Sequence, residues 1–111
     1  MSTPCVVTIL DEDDRALVHI YKHWDGDNFG EELQEFIKDI KVVSGLPAGS
    51  SKGLANGMGC FAAQLIKHFK KEPGDVYITH SRIGYALRYT ISLEDDKLVV
   101  GFKKYSNRND N

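Results

Sequence analysis

The chain of 111 residues has little of several features that mark specialised classes of protein. Its two cysteines are too few for a disulfide framework, and both Cys5 and Cys60 have apolar neighbours, as small buried residues do. No stretch approaches the ~18 consecutive apolar residues that span a membrane, and the N-terminus lacks the basic region and apolar run of a secretory signal. These absences predict a protein of the reducing cytoplasm.

The sequence also lacks a strong charge of either sign. The formal net charge is -2, which provides no general attraction for nucleic acid. Hydrophobic residues at 41% and charged residues at 27% are typical of a globular domain, and three prolines leave no room for a long disordered tract. We therefore expect a single globular domain over residues 1–105 and a flexible polar tail over residues 106–111.

Hydrophobic periodicity predicts two strands, then two helices, then three strands. The predicted elements are strands at 5–10 and 16–24, helices at 30–40 and 54–69, and a meander of strands at 76–79, 85–93 and 98–105. A glycine-rich connection over residues 45–53 separates the helices. The expected fold is α+β in two layers: a sheet of about five mainly antiparallel strands, from the element order ββααβββ, with both helices on one face.

Strand alternation assigns the side chains to the two faces of this sheet. In the strand at 85–93, one side is expected to carry Tyr85, Leu87, Tyr89, Ile91 and Leu93. The face without helices, which we call the open face, is expected to carry His19, Tyr21, Tyr77, Arg88, Thr90, Lys103 and Tyr105. Such a tyrosine-rich, charged surface is typical of an interface, although tyrosine and threonine are also good strand formers.

The stretch 19–28 concentrates two histidines, a tyrosine, the only tryptophan and two carboxylates where a strand runs into a glycine turn. His19 and His23 would lie ~13 Å apart on a strand, too far for one shared metal ion. His23 and Asp25 still offer an acid/base pair or part of a metal-assisted site. The composition of the stretch favours recognition, with Trp24 anchoring the junction between sheet and helices.

Two other motifs have weaker support. Residues 11–14 start like a calcium loop, but Ala16 and Lys22 stand where that loop needs glycine and glutamate. Backbone N–H groups near Asn56 and Gly57 could hold an anion at a helix start, and close helix packing explains the same glycine. We predict no metal site and no cofactor.

Several segments resemble a family of short uncharacterised proteins from bacteriophage and bacterial genomes. They are residues 1–3, 20–26 (IYKHWDG), 53–65 (GLANGMGCFAAQL) and 89–91 (YTI). In that family the Trp-Asp-Gly sequence is typically followed by tyrosine, proline and glycine, whereas residues 27–30 here are Asp-Asn-Phe-Gly. The resemblance implies a phage-related origin and no chemistry. It nominates as motif positions Tyr21, His23, Trp24, Asp25, Asn56 and Gly57.

The sequence favours a non-enzymatic accessory factor of phage type that binds a small ligand or a protein, with neither nucleic acid nor a membrane as its partner. Because interfaces favour Trp, Tyr and Arg anchors, Arg88 joins the motif positions as a binding residue. The expected binding residues are Tyr21, His23, Trp24, Asp25, Asn56 and Arg88, and no catalytic residue is assigned. Two alternatives stay open: a small hydrolase or metal-assisted enzyme that uses His23 and Asp25, and a structural module that forms a homodimer through the open face.

Overall fold

The computed structural model of the protein describes residues 3–49 and 51–105, and the tail predicted at 106–111 lies outside the described residues. The elements in chain order are β1 Cys5–Leu10, β2 Ala16–Lys22, α1 Phe29–Ile37, β3 Lys41–Val43, β4 Leu54–Asn56, α2 Gly57–Phe69, β5 Val76–Thr79, β6 Leu87–Glu94 and β7 Lys97–Lys104. A short 3₁₀ helix, Gly26–Asn28, leads directly into α1. No helix in the described part of the chain is long and apolar enough to cross a membrane.

Five strands form the main sheet in the spatial order β5-β2-β1-β6-β7. The central pair, β1 and β6, is parallel, and the other three pairs are antiparallel. The prediction of an α+β fold with a mainly antiparallel, five-stranded sheet is therefore confirmed. The predicted meander is wrong for β5 and β6, because β5 pairs with β2 at one edge whereas β6 pairs with β1 in the middle.

A second, two-stranded sheet is formed by β3 and β4, which pair in parallel on either side of the glycine-rich connection. No pattern in the sequence predicts it, since each strand has three residues, too few for alternation to be recognised. Leu54 was expected to open the second helix. It pairs instead with Lys41, and α2 begins only at Gly57.

Both helices pack on the same face of the main sheet, as predicted. The shared core contains, from the sheet, Cys5, Val7, Ile9, Ile20, Val76, Leu87, Tyr89 and Ile91 and, from the helices, Phe29, Leu33, Ile37, Met58, Phe61, Ala62 and Leu65. Val7 pairs with Ile20 on one side and with Tyr89 on the other, which places these residues on one face. Burial of such side chains, at ~1.5–3 kcal/mol for each large one, is the main force that holds the layers together.

The turn after β2 is fastened to the sheet by its backbone. The Gly26 N–H donates to the Thr3 carbonyl at 2.6 Å, and the Gly26 carbonyl accepts from the buried Tyr89 hydroxyl at 2.7 Å. A Cβ atom at position 26 would lie 2.5 Å from the Thr3 carbonyl oxygen and 2.8 Å from the Cys5 Cβ. Only glycine allows this approach without a backbone shift.

Trp24 does not anchor the junction between sheet and helices, contrary to expectation. Its side chain is 48% exposed, whereas Phe29 is 1% exposed and fills that place in the core. After Lys22, which pairs with Cys5, the backbone returns to the start of β1 at Gly26, one residue after the left-handed Asp25, and the Trp24 ring lies at the surface.

Two glycine substitutions should change stability in opposite directions. We expect Gly26→Ala to lower the free energy of unfolding by about 1–3 kcal/mol, because the new methyl group overlaps with backbone atoms. Gly59→Ala is the matched control, since a Cβ atom there meets nothing within 4 Å and alanine favours the helix by roughly 0.5–1 kcal/mol. Urea unfolding measures both values, and equal effects at the two sites would contradict the close approach at Gly26.

Candidate functional site

The open face of the main sheet is crossed by the connection between β5 and β6, residues 80–86. These two strands run in the same direction and have β2 and β1 between them. Within the connection, Tyr85 places its ring 5.4 Å from that of Tyr21 on β2. Val6 and Thr8, the β1 residues on this side, are fully buried. The open face is therefore exposed mainly along its margins, not over its whole width as the alternation pattern predicted.

Tyr85 does not lie on the helix side with Leu87, where strand alternation placed it. β6 begins only at Leu87, so the two preceding residues are not bound by the alternation rule. The Tyr85 N–H donates to the Arg82 carbonyl across a turn, and this turn directs the ring toward β2.

Five aromatic rings meet at the β5 margin of the open face. We call this group, Tyr21, His23, Trp24, Tyr77 and Tyr85, the ring cluster. Tyr21 is its centre, with ring centroids 5.8 Å from His23, 5.7 Å from Tyr77 and 5.4 Å from Tyr85. His23 in turn meets the edge of Trp24 at 4.6 Å. The Tyr21 hydroxyl and the His23 Nδ1 share a 2.6 Å hydrogen bond, which fixes the two rings relative to each other.

The outer members of the ring cluster are accessible. Tyr77 is 50% exposed and Trp24 is 48% exposed. Lys70 lies beside Tyr77, with its ammonium nitrogen 5.4 Å from the ring centroid. The same nitrogen donates to the Gly74 and Val76 carbonyl oxygens at 2.9 and 2.8 Å. A rigid aromatic patch with an adjacent cation is the result.

Asp75 holds the backbone of the ring cluster in place. Its carbonyl accepts the His23 N–H at 2.8 Å, and its carboxylate accepts the Trp24 N–H at 3.0 Å and the Lys22 ammonium group at 2.7 Å. Partial burial acts to raise the pKa of Asp75, but the hydrogen bonds from Lys22 and Trp24 outweigh it, so the pKa lies below its usual value. Sequence reasoning missed this residue, because a Pro-Gly-Asp turn shows no sign of its distant partners.

Arg88 is connected to the ring cluster through Tyr85. Its Nε donates to the Tyr85 carbonyl at 2.8 Å, and its guanidinium carbon lies 3.8 Å from the centroid of the Tyr105 ring. Only 9% of Arg88 is exposed. Of the six predicted binding residues, the structure therefore brings together Tyr21, His23, Trp24 and Arg88.

Asn56 and Asp25 do not join this group. Asn56 ends β4, in the small sheet that packs against α2, and its Oδ1 accepts the Gly45 N–H at 2.8 Å. Asp25 follows Trp24 in the chain, but its exposed side chain makes no hydrogen bond to His23 among the described residues. Asn56 and Asp25 thus have structural positions and are not part of the ring cluster.

The helix start near Gly57 is occupied by an anion that belongs to the chain itself. The Glu12 carboxylate, from the acidic hairpin loop, accepts the Met58 N–H at 2.7 Å. A Cβ atom at Gly57 would lie 3.1 Å from that carboxylate oxygen, and Gly57 has a φ of 85°. Glu12 thus satisfies an N–H group of the first turn of α2, where a negative charge is favoured by the helix dipole.

Two further titratable groups have shifted pKa values, His19 on the open face and Cys5 in the core. His19 Nδ1 shares a 2.8 Å hydrogen bond with the Thr8 hydroxyl, and burial, followed by the positive charge of Arg82, lowers the pKa of His19. Burial raises the pKa of the Cys5 thiol to about 12, so this thiol stays protonated and unreactive. Across residues 3–49 and 51–105, no group of three His, Cys, Asp or Glu side chains could hold a metal ion.

Comparison of the chain with models of known protein families, with curated proteins and with solved structures finds no match. The resemblance to short phage and bacterial proteins therefore stays a prediction.

Replacement of Asp75 should destabilise the protein in a pH-dependent way. Asp75→Asn removes the charge that pairs with buried Lys22 and keeps a side chain that tolerates the φ of 64°. We expect the free energy of unfolding to fall by about 1–3 kcal/mol near neutral pH. The folded pKa of Asp75 lies below its unfolded value of ~3.9, so this stabilisation is present above that value and is lost as the pH falls through the folded pKa.

Urea unfolding of both proteins from neutral to acidic pH measures this difference. The gap between wild type and Asp75→Asn should close in acid, because the wild-type carboxylate is then protonated. A gap of constant size at every pH would show that the charge of Asp75 does not hold the turn.

Removal of the Glu12 carboxylate should weaken α2. We expect Glu12→Ala to lower the free energy of unfolding by about 0.5–2 kcal/mol, because an N–H group of the first helical turn loses its acceptor. Asp13→Ala is the matched control: it removes a neighbouring charge whose ion pair with Arg15 is exposed and contributes little. If both variants have the stability of the wild type in urea, Glu12 does not cap the helix.

Proposed function

We propose that this protein is a non-enzymatic binding module that captures a protein partner through the ring cluster. The observation that carries the proposal is the pair of half-exposed anchors, Trp24 and Tyr77, at the ends of one continuous set of ring contacts. Tryptophan and tyrosine are enriched among the residues that contribute most to interface affinity. The rings present a large apolar area with few rotatable bonds, which keeps the entropy cost of binding low.

The way the ring cluster is held supports recognition. Asp75 binds the backbone of two of its residues, and the Tyr21 hydroxyl fixes the His23 ring. A partner would thus meet side chains that are already ordered. The enzymatic alternative needs His23 and Asp25 to act together, yet the Nδ1 of His23 is bonded to Tyr21 rather than to the Asp25 carboxylate.

Two parts of the proposal rest on the sequence alone. The phage-type origin rests on the resemblance of residues 20–26 and 53–65 to short phage and bacterial proteins. The cytoplasmic location rests on the use of cysteine, since two cysteines are too few for a disulfide framework.

The proposal is tested by selecting peptides from a displayed random library on the immobilised protein. The enriched peptides are then titrated against Trp24→Ala, Tyr77→Ala and the wild type. We expect each substitution to weaken binding about tenfold, which corresponds to ~1.4 kcal/mol for the loss of one aromatic anchor. The matched control is Ile78→Ala, which truncates an exposed side chain on the same strand but on its opposite face.

Several outcomes would contradict this assignment. If the peptides bind the wild type and all three variants equally, the binding site lies outside the ring cluster. Tighter binding of a single-stranded oligonucleotide than of any selected peptide would indicate nucleic-acid recognition by stacking. A dimer in light scattering that Tyr77→Glu dissociates would show that the ring cluster serves self-association instead.

A further inference from the structure

A second feature of the open face lies at its other margin, against β7. A recess of about 330 Å³ opens between the connection 80–86 and the last strand. Its lining includes Arg82, Ile83, Arg88, Thr90, Lys103 and Tyr105. We call this site the cationic recess, because three of these side chains are positively charged and none of the described residues that line it is acidic.

The positive charges of the cationic recess lie close together although they repel each other. Arg88 and Lys103 lie directly opposite each other on the antiparallel strands β6 and β7. Like charges in that position destabilise a sheet. Both groups lie over the Tyr105 ring, at 3.8 and 5.5 Å from its centroid, which offsets part of this cost.

The third cation, Arg82, increases the local positive potential. Its charge is among the causes that hold the pKa of His19 below the usual value, after burial. In the described part of the chain, neither Arg82 nor Lys103 forms an ion pair with a carboxylate. An anion that entered the recess would therefore meet the charges of Arg82 and Lys103 beside the Arg88 guanidinium group.

The size and rim of the recess indicate what kind of anion fits. A volume of about 330 Å³ is at the lower end for ligand pockets, so it suits one charged group rather than a large cofactor. Guanidinium groups match the geometry of a carboxylate. Ile83 is 68% exposed and adds an apolar surface beside the charges. An acidic side chain next to an apolar one has this combination of properties.

We infer that the cationic recess binds an acidic side chain of the partner, flanked by an apolar residue. The inference rests on the proposed function, because it specifies the chemistry of the same partner. Tyr85 joins the two sites: its ring belongs to the ring cluster and its carbonyl binds Arg88. One extended segment lying along the connection 80–86 would thus contact both.

The test uses a probe too short to reach the ring cluster. Acetyl-Glu-Leu-amide and its uncharged match, acetyl-Gln-Leu-amide, are titrated into ¹⁵N-labelled protein while the amide resonances are followed. We expect the glutamate peptide to bind at least about fivefold more tightly, since a charged acceptor strengthens each hydrogen bond. The shifted resonances should include Arg82, Ile83 and Lys103.

Three variants locate the binding. Arg82→Gln and Lys103→Gln should each weaken the glutamate peptide about threefold or more and leave the glutamine peptide unchanged. Lys104→Gln is the matched control, because it removes the same charge one residue later, opposite Leu87 on the helix side of the sheet. Its affinity for the glutamate peptide should equal that of the wild type.

The inference is overturned if the two peptides bind equally, if the shifts lie outside the recess, or if Lys104→Gln weakens binding as much as Lys103→Gln. It is also overturned if an oligothymidylate displaces the glutamate peptide and binds more tightly, since a phosphate backbone would then be the ligand. If the glutamate peptide still binds Trp24→Ala and the peptide selection fails, the recess is supported as a binding site and the ring cluster is rejected as one.

Discussion

The parallel pairing of β1 with β6 determines how the open face is built. Because β6 lies on the far side of β1 and β5 at the opposite edge, the chain has only residues 80–86 to pass β2 and β1. Those residues lie against the side chains of the open face, where Val6 and Thr8 are fully buried. The ring cluster and the cationic recess both include residues of this connection. Without the parallel pair, neither site would exist in its present form.

The opposite side of β2 is organised around a buried charge. Lys22 belongs to the core side of the strand, 8% exposed, with its ammonium group 2.7 Å from Asp75 and 5.4 Å from the Phe29 ring centroid. Burying an ammonium group is costly unless it is paired and hydrogen-bonded. Asp75 offsets this cost and at the same time binds the backbone of Trp24. The Asp75 carboxylate therefore stabilises both the packing of the core and the position of the ring cluster.

Patterns in the sequence predicted those elements that are determined by residues close together in the chain. β6 alternates because one of its faces is buried, and Leu87, Tyr89 and Ile91 were assigned correctly for that reason. The β6–β7 hairpin was predicted as the last two strands of the meander, and Asp95 and Asp96 between them adopt the positive φ of a tight two-residue turn. Both helices followed from apolar spacing. The start of α2 was misplaced because β4 is too short to be recognised.

The parts that were not predictable depend on residues far apart in the chain. Tyr85 lies on the open face because the connection crosses the sheet, and no local rule distinguishes it from the strand that follows. Asp75 meets Lys22 across 53 positions. Four of the six expected binding residues are linked in space, yet Tyr85, which connects Arg88 to the other three, lies there because of the topology. Asn56 was selected by its motif and occupies a structural position instead.

The bonds made by Lys70 restrict how a partner can approach. β5 is an edge strand, and exposed edges invite another chain to add itself to the sheet. The Val76 N–H bonds to the Gly74 carbonyl and the Val76 carbonyl accepts from Lys70, so the groups that a new strand would need at this position are already engaged. The lysine thereby blocks strand addition at Val76 while leaving the Tyr77 ring accessible. At the Val76 position this edge offers a partner side chains in place of backbone groups.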